Sequence, residues 1–234
     1  MALQPTRERP MKTLLITGAS SGIGAASAKR AVEAGYRVGL AARRKDKLDG
    51  LVAELGEDKA LAVSCDVTDY ASQRAAVKAV TERFGGLDAV FANAGIGTKG
   101  SGTSGGDPEQ WRQMVLTNVL GVMYTVKAAH EAIIAAKGHI LITSSGAGRK
   151  VLSGSVYGAT KWAMSGYGAN LREEMREKGV KVTLIEPGMV ETPFFDEPKP
   201  GALEADDIAR AVVYALSQPA NVLAGEIWVE PLQR

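Results

Sequence analysis

Cysteine is all but missing from this chain: Cys65 is the only one in 234 residues. A disulfide framework or a thiolate zinc site needs more, so both are excluded, and a reducing compartment fits. Histidine is nearly as scarce, and His130 and His139 are too few for a histidine cluster. An excess of one charge is also lacking: 28 Lys and Arg against 26 Asp and Glu leave +2, too little to build a field that gathers nucleic acid or anionic lipid. Residues 1–10 are polar, carry two prolines and lack the apolar segment of a secretory signal, and no run of about 18 apolar residues stands out. These absences predict a soluble cytoplasmic protein with no nucleic-acid and no membrane partner. Residues 1–10 are expected to form a flexible tail, and 11–234 a single domain.

What is plentiful is glycine, at 27 of 234 residues, against a usual share of about 7%. Each glycine costs backbone entropy on folding, so a surplus belongs where the chain turns tightly or approaches a ligand. Around the glycines, short apolar runs at 12–17, 37–42, 60–65, 87–93, 139–144, 180–186 and 225–229 alternate with helical patterns at 23–34, 45–55, 70–84, 108–136, 156–178 and 205–217. The strand runs are apolar on consecutive positions, as expected of strands covered by helices on both faces. The alternation predicts an α/β fold: a doubly wound three-layer α/β/α sandwich around a seven-stranded parallel sheet. Two segments break the rhythm, a Gly/Ser/Thr-rich stretch at 95–107 and a stretch at 192–204 that contains Pro193, Pro198 and Pro200. The first is expected to be a mobile loop, and both would border a crevice at the carboxyl edge of the sheet.

The densest glycine cluster is TGASSGIG, Thr17 to Gly24, which leaves the first strand and opens the first helix. Gly18, Gly22 and Gly24 let the backbone bend and approach a pyrophosphate. Ser20, Ser21 and Ile23 lie at the helix N-terminus, whose free N–H groups favour an anion. About 20 residues on, an NAD-binding chain places a carboxylate on the ribose 2′-OH. Here Arg43 and Arg44 stand at the end of the second strand instead. Guanidinium groups bind a 2′-phosphate through charge-assisted bonds, so NADP(H) is favoured over NAD.

At this point the chain resembles the short-chain dehydrogenase/reductase family, which implies a Rossmann-type fold and an oxidoreductase activity. TGASSGIG is similar to the family's cofactor loop, Asp66-Val67 to its adenine contact, and Asn93-Ala94-Gly95 to its motif after the fourth strand. Asn118, Ser145, Tyr157 and Lys161 fall where the family has its catalytic tetrad. The stretch Pro187-Gly188-Met189-Val190-Glu191-Thr192 resembles its nicotinamide clamp, in which Val190 and Thr192 would contact the carboxamide. The stretches VYGATK, IEPGMVETPF and GEIWVEPLQ look similar to NADP-dependent 3-hydroxy acid or serine dehydrogenases within the family.

Tyr157 and Lys161, four apart on one helix face, can reach the same ligand. A phenol with a pKa of about 10 is a weak acid at neutral pH, and a neighbouring ammonium is expected to lower that value. Tyr157 would then pass a proton to a carbonyl oxygen that Ser145 holds by a hydrogen bond. The resemblance adds a bond from Lys161 to the nicotinamide ribose and a water kept in place by Asn118. Counting back from Tyr157 favours Ser144 as the active serine. The local S-S-x-A-G pattern favours Ser145, which is preferred because strand alternation lets only one of the pair face the cofactor.

A small-molecule carbonyl or alcohol substrate is expected, in a pocket lined by Gly148, Val151, Met189, Phe194 and Phe195, with Arg149 or Lys150 as a cation for an anionic substrate. Homo-oligomerisation, as dimer or tetramer, follows from the resemblance. The alternative to a carbonyl reductase is a catalytically silent NADP(H)-binding sensor of the same fold.

Overall fold

Apolar residues on consecutive positions place the central strands between two helical layers. The computed structural model describes residues 11–97, 102–195 and 197–232. The expected tail, 1–10, and residues 98–101 of the expected mobile loop, Gly100 among them, lie outside the described residues. The strands are β1 (Thr13–Thr17), β2 (Arg37–Ala42), β3 (Ala60–Ser64), β4 (Ala89–Ala92), β5 (His139–Thr143), β6 (Lys181–Pro187), β7 (Val190–Glu191), β8 (Leu203–Glu204) and β9 (Glu226–Val229). Seven of them form one parallel sheet in the order β3-β2-β1-β4-β5-β6-β9, while β7 and β8 pair separately. This is a Rossmann-type α/β fold. Its order reverses between β1 and β4, the place where such sheets open a crevice at their carboxyl ends.

Strand alternation sorts the core into two halves. Leu15, Val90, Ile140, Ile142 and Val182 face one layer of helices, whereas Leu14, Ile16, Phe91, Leu141 and Ile185 face the other. The helices are α1 (Gly22–Glu33), α2 (Lys45–Leu55), α3 (Tyr70–Phe84), α4 (Gly102–Gly105), α5 (Pro108–Val115), α6 (Gly121–Ala136), α7 (Val156–Arg176) and α8 (Ala205–Ser217). Several starts are set by side-chain caps: Asp69 accepts from Ala71 and Ser72 N–H, Asp107 from Glu109, and Ser155 from Gly158.

The expected single helix over 108–136 is three pieces, because a π-helical turn, Leu116–Leu120, separates α5 from α6. Such turns often mark functional positions, and this one carries Asn118. An 18-residue window within the helical run Pro108–Ala136 has mean hydropathy 1.3, enough by length and composition to cross a membrane, although the run is interrupted by polar and charged residues such as Asn118 and Lys127. Val122, Val126, Ala129 and Ile133 on it are buried in the core. Strand ends also differ: Cys65, Ser144 and Leu87 lie just outside the strands to which their apolar neighbours assigned them. Part of the expected mobile loop is the helical turn α4.

His139, at the start of β5, is buried, and its Nε2 lies 2.7 Å from Thr183 Oγ1. Thr183 donates its own proton to the Ala224 carbonyl, so the imidazole carries its hydrogen on Nε2. The buried Nδ1 has no hydrogen-bond partner among the described residues. Burial, with Lys181 and Lys12 adding repulsion, pushes the pKa from 6.5 down to about 3. The unfolded chain therefore takes up this proton first, and stability present above pH 6.5 is lost as pH falls toward 3. Urea unfolding should show the native protein losing roughly 2–3 kcal/mol more than His139→Gln between about pH 6.5 and 4.5.

Candidate active site

A groove of about 460 Å³ runs along the carboxyl ends of the central strands. It is lined by Gly18, Ser20, Ser21, Gly22, Ile23, Arg43, Arg44, Asp66, Val67, Asn93, Ala94, Gly95, Ser145, Tyr157, Lys161, Pro187, Gly188, Val190 and Thr192. Of the residues singled out in the sequence, Gly24 and Asn118 stand back from it. Gly24 is needed for packing: a Cβ there would lie 2.4 Å from the Gly18 carbonyl oxygen. Gly18 has φ +67°, and a Cβ on it would lie 2.9 Å from Ala94 Cα. Only glycine lets this turn take that conformation so close to the neighbouring backbone.

Asn93 ties the groove floor together. Its side-chain amide donates to the Thr17 carbonyl at 3.1 Å, its backbone N–H donates to Thr17 Oγ1, and its Oδ1 accepts from Thr143 Oγ1 at 3.1 Å. At one end of the groove, Ser21 opens α1 without a side-chain cap, which leaves the first N–H groups of the helix for a ligand. Arg44 donates to Ser20 Oγ and Ser21 Oγ at 3.0 and 3.1 Å, so its cation lies beside that helix end. Asp66 accepts from the backbone N–H and hydroxyl of Thr68. These bonds hold its carboxyl below the usual carboxylate range, and the Arg43 charge adds to the effect. A glycine cradle, a free helix N-terminus and two arginines on one groove fit a nicotinamide dinucleotide.

At the other end, Tyr157 and Lys161 lie one turn apart on α7. The Lys161 side chain is buried, and its Nζ donates to the Thr143 carbonyl at 2.9 Å. Burial pushes its pKa down to about 8. The ammonium sits 5.6 Å from the centre of the Tyr157 ring. The expected lowering of the Tyr157 pKa is not what the geometry produces: burial pushes the phenol up, and a hydrogen bond with Ser145 opposes this. A phenol that keeps its proton suits donation better than abstraction.

The two serines have separate surroundings. Ser144 also lines the groove, but its Oγ points into α7, 3.3 Å from the Lys161 carbonyl and 3.1 Å from Ser165 Oγ. Ser145 Oγ accepts from Ala147 N–H and donates to the Pro187 carbonyl at 3.3 Å, on the side of the phenol. Asn118 uses its side chain to hold the loop after Gly95. Oδ1 accepts from Ile96 N–H at 2.8 Å, and Nδ2 donates to the Ile96 carbonyl and to Thr160 Oγ1. Both of its amide hydrogens are thus engaged by protein, which leaves only Oδ1 capacity for the expected water.

A second cavity of about 500 Å³ adjoins the groove, and Ser145 and Tyr157 line both. Met189, Phe194 and Phe195 line it as expected; Gly148 and Val151 do not. Gly148 is pressed against the Lys161 carbonyl, and Val151 is 93% exposed. The two cations offered for an anionic substrate are already paired. Arg149 binds Glu186 at 2.8 Å and Glu226 at 2.7 Å, and Lys150 binds Glu230 at 2.6 Å. Leu152, Val156 and Glu230 also line the cavity and were not singled out in the sequence, because chain separation hides their common wall; Trp111, by sequence a packing or interface residue rather than part of a substrate cage, lines it too.

The chain belongs to the short-chain dehydrogenase family, whose model matches residues 12–201. It is 38% identical to an uncharacterized oxidoreductase of Staphylococcus aureus over 226 residues, covering 94% of this chain and 97% of that one. Among solved structures it is similar to an alcohol dehydrogenase from Thermococcus sibiricus complexed with 5-hydroxy-NADP, with TM-score 0.88, 32% identity, and 96% and 98% coverage of the two chains. It is also similar to a 3-ketoacyl-(acyl-carrier-protein) reductase from Brucella melitensis complexed with NADH, with TM-score 0.86, 30% identity, and 93% and 96% coverage.

The serine geometry predicts unequal effects of two neighbouring substitutions. Ser145→Ala should lower kcat by about 10²–10³-fold, as expected for loss of an oxyanion donor. Ser144→Ala should cost about 1 kcal/mol of stability and less than threefold in turnover, because it removes only internal bonds. Steady-state kinetics and thermal unfolding of the two variants check this, and a larger kcat loss at Ser144 would reverse the assignment.

Proposed function

We propose that the protein is an NADP(H)-dependent carbonyl reductase that interconverts a ketone or aldehyde with the corresponding alcohol by hydride transfer. The observation that carries this reading is the position of Tyr157 and Ser145, which line both the dinucleotide-shaped groove and the cavity beside it. A reacting carbonyl in the cavity can therefore meet a proton donor where it faces the groove.

A dinucleotide held by the Gly18–Gly24 turn and the Pro187–Thr192 segment would supply the hydride for the new C–H bond, NADPH being oxidised to NADP+ as the carbonyl π pair moves onto oxygen. Tyr157 gives its proton to that oxygen, so the carbonyl is reduced by two electrons and gains one hydride and one proton. Ser145, its single hydroxyl hydrogen turned from the Pro187 carbonyl to the substrate oxygen, stabilises the developing negative charge. Lys161, fixed by the Thr143 carbonyl, holds a buried cation beside the phenol and favours the phenolate left after transfer. Asn118 acts at a distance by holding the Ile96 backbone, and with it the loop after Gly95.

The preference for NADP(H) rests on Arg43 and Arg44 and on the absence of a carboxylate at the end of β2. We read the assembly as a homo-oligomer, dimer or tetramer. Val115 on α5 and Trp162 on α7 support this, being large apolar side chains left exposed on the long helices. A cytoplasmic setting is part of the same proposal.

Tyr157→Phe should retain NADPH binding, measured by cofactor fluorescence, while turnover falls at least about 10²-fold. Undiminished turnover would remove the proton-transfer role. Tight NADPH binding by the native protein without oxidation, across a panel of aldehydes and ketones, would establish the sensor alternative instead. Replacing both arginines, Arg43→Asp with Arg44→Ala, should shift the NADPH-to-NADH ratio of kcat/KM toward NADH by about 10–100-fold, the size of a lost charge-assisted bond.

A further inference from the structure

The second cavity has a wall chemistry of its own. Trp111, Leu152, Val156, Met189, Phe194 and Phe195 form its apolar side. Phe194 meets Tyr157 edge-on, with ring centroids 5.6 Å apart, and meets Phe195 in the same manner at 5.1 Å. The aromatic wall therefore continues directly from the phenol.

Glycines of the loop between β4 and α5 make room for these rings. A Cβ on Gly97 would lie 2.9 Å from Phe194 Cζ, and a Cβ on Gly106 would lie 2.1 Å from Trp111 Cζ2. A Cβ on Gly154 would lie 2.7 Å from Gly102 Cα, so these two backbones also touch across the cavity rim. Any side chain at 97 or 106 would displace an aromatic ring from the wall. Gly97 and Gly106, which a dinucleotide does not require, are accounted for by the rings that form this wall.

Among the described residues the lining carries one cation and one carboxylate, Lys150 and Glu230. Its described cation, Lys150, is joined to Glu230 at 2.6 Å, with the ammonium 5.1 Å from the Trp228 ring centre. Arg149 does not line the cavity and is held by Glu186 and Glu226. A carboxylate entering here would lose its water and have to compete with Glu230 for Lys150, so the lining disfavours an anion. A planar apolar group loses little water and gains contact with the rings.

We propose that the substrate is an uncharged ketone or aldehyde bearing a planar apolar group, seated against Trp111 and Phe194 with its carbonyl toward Tyr157 and Ser145. The assignment rests on the carbonyl-reductase reading above and names its substrate class. Gly97 and Gly106 act as shape-determining positions, because they seat the two rings.

The test uses two aryl methyl ketones of nearly equal shape, a 4-carboxamide and a 4-carboxylate, together with a short aliphatic aldehyde, all with the native protein and NADPH. The expected result is a kcat/KM at least tenfold higher for the carboxamide than for the carboxylate. Trp111→Ala should lower kcat/KM for the aryl carboxamide at least tenfold while changing that for the aliphatic aldehyde less than threefold. Gly106→Ala, which keeps the indole but pushes it from its seat, should act in the same direction. Glu230→Gln releases Lys150 and should improve the carboxylate at least fivefold.

Equal or faster turnover of the carboxylate, or equal losses on aryl and aliphatic substrates in both Trp111→Ala and Gly106→Ala, would overturn the substrate class while leaving the reductase reading intact. Calorimetry with benzamide and benzoate, neither of which is reduced, provides a readout independent of turnover. Tighter binding of benzamide, lost in Trp111→Ala, is expected, and tighter binding of benzoate overturns the class. If no carbonyl oxidises NADPH, the reductase reading fails, and the calorimetry still decides what the cavity accepts.

Discussion

The site depends on how Asn93 holds the carboxyl ends of three strands. Its amide spans the Thr17 carbonyl on β1 and the Thr143 hydroxyl on β5, while its own backbone extends β4. Thr143 in turn offers its carbonyl to Lys161, and Lys161 stands one helical turn from Tyr157. A hydrogen-bonded path thus runs from the glycine turn to Lys161, whose ammonium stands 5.6 Å from the centre of the phenol ring. Because the strands are parallel and covered on both faces, these loop-proximal polar groups have little water to compete with, and losing one leaves its partners unsatisfied.

Burial controls the protonation of the pair at the end of that path. Lys161 is brought down to about 8, and Tyr157 is raised, so the ammonium becomes the stronger acid of the two and their acidities lie further apart than those of the free side chains. The same cost of burying charge is met differently beneath the clamp segment. Glu186 is buried and its pKa is raised by that burial, with Arg149 opposing through a direct bond and Glu226 binding the other side of the guanidinium. Arg149 is therefore committed to the junction of β6 and β9, next to Pro187, whose carbonyl accepts from Ser145.

Much of this was legible in the chain. The apolar runs gave seven strands, because strands covered on both faces cannot carry polar residues on alternate positions. The groove residues were legible because a turn that brings backbone close to a ligand needs glycines at set spacings. Ser144 and Ser145 could not be separated with the same force: they differ only in which way a strand end points, and Ser165 on a helix 21 residues downstream is what claims Ser144. The π-helical turn at Asn118 was invisible, since a single apolar pattern covers 108–136 and carries no proline or cap at the break. The effect of Lys161 on Tyr157 was misjudged, because spacing gives proximity but not the depth of burial that opposes it.

The glycine turn, the arginines at the end of β2, the Tyr157–Lys161 spacing and the strand rhythm were determined by the sequence alone, because each is a local pattern whose physical demand falls within a few residues. The tertiary structure decided everything that rests on partners far along the chain. It paired Arg149 with Glu186 and Lys150 with Glu230, it turned Ser144 inward, and it set Phe194 and Trp111 on Gly97 and Gly106. Charge pairing and ring seating depend on which atoms meet in space, and no spacing along the chain specifies which residues those will be.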